Sequence, residues 1–461
     1  MAEPSSRWGG PKAALVGILG LAAGLRLVGV EYGLPFPLLD PDERNIVPRA
    51  WRIVHGGGLD PDWFDYPTLV LYLLAPVQRL AQAPAYLEAR LVIVALALGA
   101  VAATWWLGRS AYGVVAGAVG AACVAVETTH VAYSHVAVTD VPLTLGVAAA
   151  LALMVGGRLE LAGLVTGLAM SAKYPGVWLL APLLAAGWAQ WWRVARCCAL
   201  ALLAFLATSP YVLADLGQAA GDGYRVQRLA REGWLGFEND HFRPIAFLDR
   251  LWEGLGPALV VAGIGLVAAL ARRSTADRVL AIFVLVYFLQ LMTLGAHFDR
   301  YVLPLVPALG VLAGRVRTLA PVTLLLLVIP LTWSVRDDRE LTKRDTRLAA
   351  LSWIDEHVPA GATIAVDPST PPLPELRTVR LELPGPGREP DPRRDVERLR
   401  AEGVRYVLVT GSVADRVLAA RSRYPRESRF YDELRRAPRA LYVEPGDALA
   451  GPWVALYTLA P

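Results

Sequence analysis

The sequence predicts a polytopic α-helical membrane protein with a small α/β domain at its C-terminal end, on three observations. Of the 461 residues, 55% are hydrophobic and only 19% charged, with a mean hydropathy of +0.41, a balance foreign to a water-soluble enzyme of this length. Apolar runs of roughly 20 residues, the length that crosses a ~30 Å hydrocarbon core, recur over the first three quarters of the chain. Arginines gather in every second short connection, the bias that orients membrane proteins. The pI near 9.0 reflects those clusters and a basic tail, so no nucleic-acid partner is expected. Cys123, Cys197 and Cys198 lie in apolar stretches, without the spacing of a metal knuckle or a disulfide framework.

About eleven spans follow from the apolar runs: 12–30, 89–107, 114–131, 140–156, 159–172, 175–191, 195–213, 255–271, 279–295, 301–315 and 319–334. Arg7 and Lys12 precede the first run, which lacks a small-residue cleavage site and reads as a retained signal anchor. With the N-terminus inside, the inner connections are 108–110, 157–158, Arg193 with Arg196, Arg272-Arg273 with Arg278, and Arg315 with Arg317. The outer ones then hold residues 40–65, 130–140, 173–174, 214–254 and 297–300. This parity requires Tyr66 to Leu80 to lie along the interface, which suits a short apolar segment headed by Trp63, Phe64, Tyr66 and Tyr72. Residues 1–334 form the transmembrane domain. The polar tail 335–461 reads as an outer α/β domain, with a helix 346–357, a strand 362–366, a proline-dense loop 368–392, a helix 395–402, a strand 404–410 and, after further helices, a last strand 453–459.

Polar residues then collect on one face. In Leu39-Asp40-Pro41-Asp42-Glu43-Arg44, Asp40 and Glu43 fit a capping box with Pro41 at the first helical position. That leaves Asp42 spare, and a carboxylate at a membrane-facing site usually marks chemistry or transport. His130 to Pro142 carries His135 and Asp140; Thr139 or Asp140 also fits a helix cap, and the His spacing matches no strong zinc signature. Lysine occurs only at positions 12, 173 and 343; in Ser171-Ala-Lys173-Tyr174-Pro175 it either snorkels at a helix end or offers a compact ammonium to a phosphate. His297-Phe298-Asp299-Arg300-Tyr301 holds either a rim salt bridge between Asp299 and Arg300 or a guanidinium suited to forked phosphate bonding. With no Gly-rich phosphate loop and only short inner connections, an activated donor has to arrive through the membrane, which favours a lipid-linked substrate.

The order Asp42-Glu43, Tyr133-Ser-His135-x4-Asp140, Gly163-x3-Gly167-Leu-Ala-x-Ser-Ala-Lys173-Tyr174 and Arg300-Tyr301-x-Leu-Pro304-x2-Pro307 resembles the GT-C glycosyltransferases. The likeness is greatest to bacterial relatives of the protein O-mannosyltransferases and of the aminoarabinose transferase that modifies lipid A, over residues 12–334. Where the aminoarabinose enzymes carry a lysine before paired prolines, this chain has Asp65-Tyr66-Pro67. The resemblance implies inverting transfer from a polyprenyl-phosphate sugar to a lipid, glycan or protein acceptor outside the cytoplasm. It places Asp42, Glu43 and Asp140 in catalysis, and Arg44, Tyr66, His135, Lys173, Tyr174, His297, Arg300 and Tyr301 in substrate binding. No metal ligands are assigned, and a divalent cation is the one cofactor left open. A transporter or lipid flippase would also use intramembrane charge, but it commonly shows internal repeats and broken helices at the bilayer midplane, and no convincing repeat is found.

Overall fold

A computed structural model describes residues 10–240, 242–272 and 274–459; Arg7 and Arg273 lie outside them. The chain opens with α1 (Pro11–Leu27), α2 (Glu43–Val54), α3 (Leu69–Gln78), α4 (Tyr86–Tyr112), α5 (Val114–Val126), α6 (Thr128–Tyr133), α7 (Asp140–Val155) and α8 (Leu159–Ala172). Further apolar helices are Leu180–Gly187, Trp191–Thr208, Ala258–Arg272, Thr275–Leu291, Val306–Arg315, Ala320–Leu326 and Val328–Glu340. Tyr86–Tyr112, Trp191–Thr208 and the composite Arg317–Glu340 are each long and apolar enough to cross a membrane. Arg243–Leu255 and Ala258–Arg272 would make a fourth span but meet at 117°. Two of the apolar runs, 175–191 and 301–315, give shorter α-helices because they begin in proline-bearing 3₁₀ turns at Tyr174–Leu179 and Asp299–Leu305. The ten residues of α3 extend only ~15 Å, half of a hydrocarbon core.

Small residues set how closely these helices pack. A Cβ at Gly167 of α8 would lie 2.1 Å from the Ala201 carbonyl oxygen, and one at Gly163 would lie 2.4 Å from that of Cys197. The Gly163-x3-Gly167 spacing is therefore a contact stripe against Trp191–Thr208, as expected where lipid gives helices no hydrophobic reason to associate. Trp191, Trp192, Leu203, Val267 and Leu325 are all exposed on the outside of the bundle, an apolar exterior that water would not tolerate.

The composition change at residue 335 falls inside Val328–Glu340, so the α/β portion begins after that helix. Its first helix, Thr346–His357, has the predicted bounds. Strands Arg377–Arg380, Thr363–Val366 and Tyr406–Thr410 run parallel, and Tyr406–Thr410 pairs antiparallel with Val454–Thr458, which pairs antiparallel with Arg439–Val443. The predicted interior strands appear with trimmed ends, while the edge strands Arg377–Arg380 and Arg439–Val443 had not been anticipated. Both edges are mostly exposed and carry arginines, so they lack the buried alternation that marks a strand. Leu235, from the connection after helix Leu216–Glu232, is buried in the core of this α/β portion.

Candidate active site

The first carboxylates come from the turn into α2. Asp40 Oδ1 accepts a hydrogen bond from the Asp42 backbone N at 2.8 Å, which sets the two aspartates side by side. The expected capping box does not form: α2 starts at Glu43, and its N-cap residue Asp42 makes no side-chain cap bond. Glu43 turns instead into the protein. It is fully buried, and Arg90 Nε and Nη2 reach its two oxygens at 2.8 Å each while the Ala137 N donates at 3.0 Å. A forked guanidinium is a far stronger partner than one neutral cap donor, which explains why the cap loses.

The spare aspartates face a guanidinium from elsewhere in the chain. Arg300, in the 3₁₀ turn Asp299–Leu305, places Nη1 2.8 Å from Asp40 Oδ2 and Nη2 3.1 Å from Asp42 Oδ2. The rim salt bridge expected between Arg300 and Asp299 is not made; Asp299 Oδ1 accepts from the Arg300 backbone N and the Tyr133 hydroxyl. Tyr66 donates to Asp42 Oδ2 at 2.7 Å. Burial, then the adjacent Asp42 charge, raises the Tyr66 hydroxyl well above its ordinary range, so it remains a donor. Burial likewise pushes the Asp40 carboxyl up to about 6 against the opposing pull of Arg300. Among the described residues, Asp42 Oδ1 and Arg300 Nε have no partner.

These groups line a cavity of about 700 Å³, together with His297, Tyr301, Tyr133, Trp234 and Phe237. His297 is wedged against Phe237 and Phe247, with Nδ1 3.2 Å from Asp240. Lys173 and Asp140 form a layer beneath: Nζ lies 2.6 Å from Asp140 Oδ1, and 5.5 and 5.4 Å from the Tyr66 and Tyr301 ring centroids. Thr139 makes no cap bond and Asp140, the first residue of α7, gives its carboxylate to Lys173, so neither cap reading holds.

Of the residues singled out from sequence, Asp42, Tyr66, His297, Arg300 and Tyr301 meet at the cavity wall. Four others are placed away from it. Glu43 is committed to Arg90. His135 is buried, with its two ring nitrogens 2.9 and 2.8 Å from the Val131 and Val28 carbonyl oxygens. Arg44 donates to the Pro37 carbonyl oxygen and Tyr174 to that of Phe64. Asp40, read as a cap, instead belongs to the wall, and Arg225, Arg250, Arg388 and Arg416 line it without having been anticipated.

Among the described residues, no group of three or more His, Cys, Asp or Glu side chains is placed to hold a metal ion. Asp40 and Asp42 both turn an oxygen to Arg300, so the carboxylates on this stretch of the wall are engaged with a guanidinium.

The chain matches no protein-family model and no curated protein. It is similar in structure to ArnT from Cupriavidus metallidurans in the apo state, with a TM-score of 0.58 at 13% identity over 96% of this chain and 98% of that one. ArnT bound to undecaprenyl phosphate aligns at a TM-score of 0.51 and 18% identity, over 65% of this chain and 59% of that one. The oligosaccharyltransferase AglB from Archaeoglobus fulgidus, in complex with an inhibitory peptide and a dolichol-phosphate, aligns at 0.55 and 12%, over 90% of this chain and 71% of that one. At these identities the likeness is one of fold: the chain shares the fold of ArnT and of the archaeal oligosaccharyltransferase.

Proposed function

We propose that the protein is a membrane glycosyltransferase that moves a sugar from a polyprenyl-phosphate-linked donor to an acceptor hydroxyl on the extracytoplasmic face, by a single inverting displacement. The observation that carries this reading is the pairing of Asp42 with Arg300 on one cavity wall, a base and a cation brought together from positions 258 residues apart. The fold shared with proteins bound to undecaprenyl phosphate and dolichol-phosphate supports a lipid-phosphate donor, and the alternating arginine bias supports the orientation.

Asp42 lines the cavity, and its Oδ2 is held by Tyr66 and Arg300, which leaves Oδ1 as the proton acceptor. The acceptor oxygen forms a bond to the anomeric carbon from the face opposite the phosphate as its proton passes to Oδ1. The bond from the anomeric carbon to the phosphate oxygen breaks, and its electron pair leaves with the polyprenyl phosphate. Arg300, with Nε unused, meets that developing charge, and buried Lys173 adds positive potential from behind Tyr66 and Tyr301. Glu43 and His135 hold the scaffold in this scheme. A positioned base contributes about 10²–10⁴ in rate, so Asp42→Asn should lower transfer by that factor in membranes fed a panel of radiolabelled polyprenyl-phosphate sugars, with protein levels unchanged. Transfer within threefold of wild type would remove Asp42 from the base role.

A further inference from the structure

Five arginines line the cavity, and their surroundings divide them. Arg300 is paired with Asp40 and Asp42, Arg225 with Asp65 and Asp222, and Arg250 with Glu253 and Asp240. Arg388 and Arg416 pair with no carboxylate among the described residues. These two come from the α/β portion: Arg388 from its proline-rich loop and Arg416 from helix Gly411–Ala419. Both lie against the connection that follows helix Leu216–Glu232. The Arg388 guanidinium stacks 4.4 Å above the Trp234 ring. Arg416 lies across Gly236, where φ is +104° and a Cβ would come within 3.1 Å of the Arg416 Cδ. Trp234 in turn meets the Phe298 ring at 5.9 Å, and the Arg300 guanidinium sits 4.9 Å over that same Phe298 ring. Two aromatic rings thus stand between Arg300, engaged with the carboxylates, and Arg388, which has no carboxylate partner.

We infer that Arg388 and Arg416 form an anion subsite for the acceptor, which is therefore a negatively charged molecule bearing a phosphate or carboxylate beside its reacting hydroxyl. This rests on the transferase reading above. A lipid-linked donor enters from the bilayer and sets its phosphate at Arg300, whereas both subsite arginines belong to the portion that follows the last apolar helix and meet ligands arriving from water. Guanidiniums with no carboxylate partner lose no ion pair when they bind an anion, and they present forked donors to its oxygens.

The test uses the full chain in detergent micelles with two probes, glucose 6-phosphate as an anionic sugar and undecaprenyl phosphate as the lipid carrier, and glucose as the uncharged control. Wild-type protein should bind glucose 6-phosphate at least tenfold more tightly than glucose. The Arg388→Gln/Arg416→Gln variant should lose at least tenfold in glucose 6-phosphate affinity while binding undecaprenyl phosphate within twofold of wild type, and Arg416→Lys should keep most of the sugar-phosphate affinity. Intact undecaprenyl phosphate binding reports that the variants are folded. Absence of glucose 6-phosphate binding, or its indifference to the double change, overturns the subsite. Equal loss of both ligands by a double variant that unfolds at the wild-type temperature, with the same pattern in Arg416→Lys, assigns the arginines to the donor and also overturns it. Failure of wild type to bind undecaprenyl phosphate while it binds the sugar phosphate would strike the donor reading instead.

Discussion

Replacing Glu43 by alanine should damage folding, while replacing its neighbour Asp42 should damage chemistry. Glu43 and Arg90 are both fully buried and joined by two bonds of 2.8 Å. The Arg90 Nη1 also donates to the Val30 and Tyr32 carbonyl oxygens at 2.8 and 2.9 Å, and Glu43 takes the Ala137 N. One ion pair therefore ties the exit of α1, the start of α2, the body of α4 and the loop before α7. Glu43→Ala leaves a buried guanidinium with two neutral acceptors and no counter-charge, a situation that costs about 3–5 kcal/mol when a buried pair is broken. At about 1.4 kcal/mol per decade this is a two- to four-order change in the folding equilibrium. Glu43→Gln, which keeps the shape and one acceptor, should cost less. Thermal unfolding of the purified chain in micelles, followed by intrinsic tryptophan fluorescence, reads the difference. A Glu43→Ala protein as stable as wild type but devoid of transfer would refute the structural role and return Glu43 to the reacting centre.

Other outcomes follow from the same geometry. Gly167→Leu should lower thermal stability by about 1–3 kcal/mol or more, since overpacking typically costs that much and the Ala201 carbonyl leaves no space; an unchanged melting temperature would show that the two helices are not in contact. Lys173→Ala should raise KM for the lipid-linked donor more than for the acceptor, and the reverse would reassign the lysine. Its stability cost, about 3–5 kcal/mol from a stranded Asp140, should be largely recovered in Lys173→Met/Asp140→Leu, measured by the same unfolding assay. In the α/β portion, Asp367→Ala should expose the segment around strands Thr363–Val366 and Tyr406–Thr410 to proteolysis. Asp367 is buried against Arg394 and Tyr431. Unaltered digestion would show that this network carries no stability.

The helices were legible because a membrane imposes length and composition on them at once. Their breaks were not, because Pro175 and Pro304 change the local hydrogen bonding without interrupting the apolar run. Asp42 and Arg300 stood out because charge beside lipid is expensive, and in the structure they meet. Asp40 and Glu43 were misread because their spacing satisfies a local rule, while the partners that claim them, Arg300 and Arg90, are distant in sequence. Arg388 and Arg416 were invisible for another reason: in a tail this rich in arginine, nothing in the sequence separates a side chain that faces a cavity from one that faces water.

Leu235 is buried in the core of the α/β portion, its chain neighbour Trp234 packs against that core, and both residues also line the cavity. The same two residues therefore serve the cavity wall and the α/β core at once. Excising the tail beyond the last apolar helix would not yield a minimal version of this protein, because the same cut that removes the α/β portion also removes the packing behind Trp234, an aromatic panel of the cavity. Chimaeras that exchange this portion between related chains should be built with the 233–239 connection travelling alongside it.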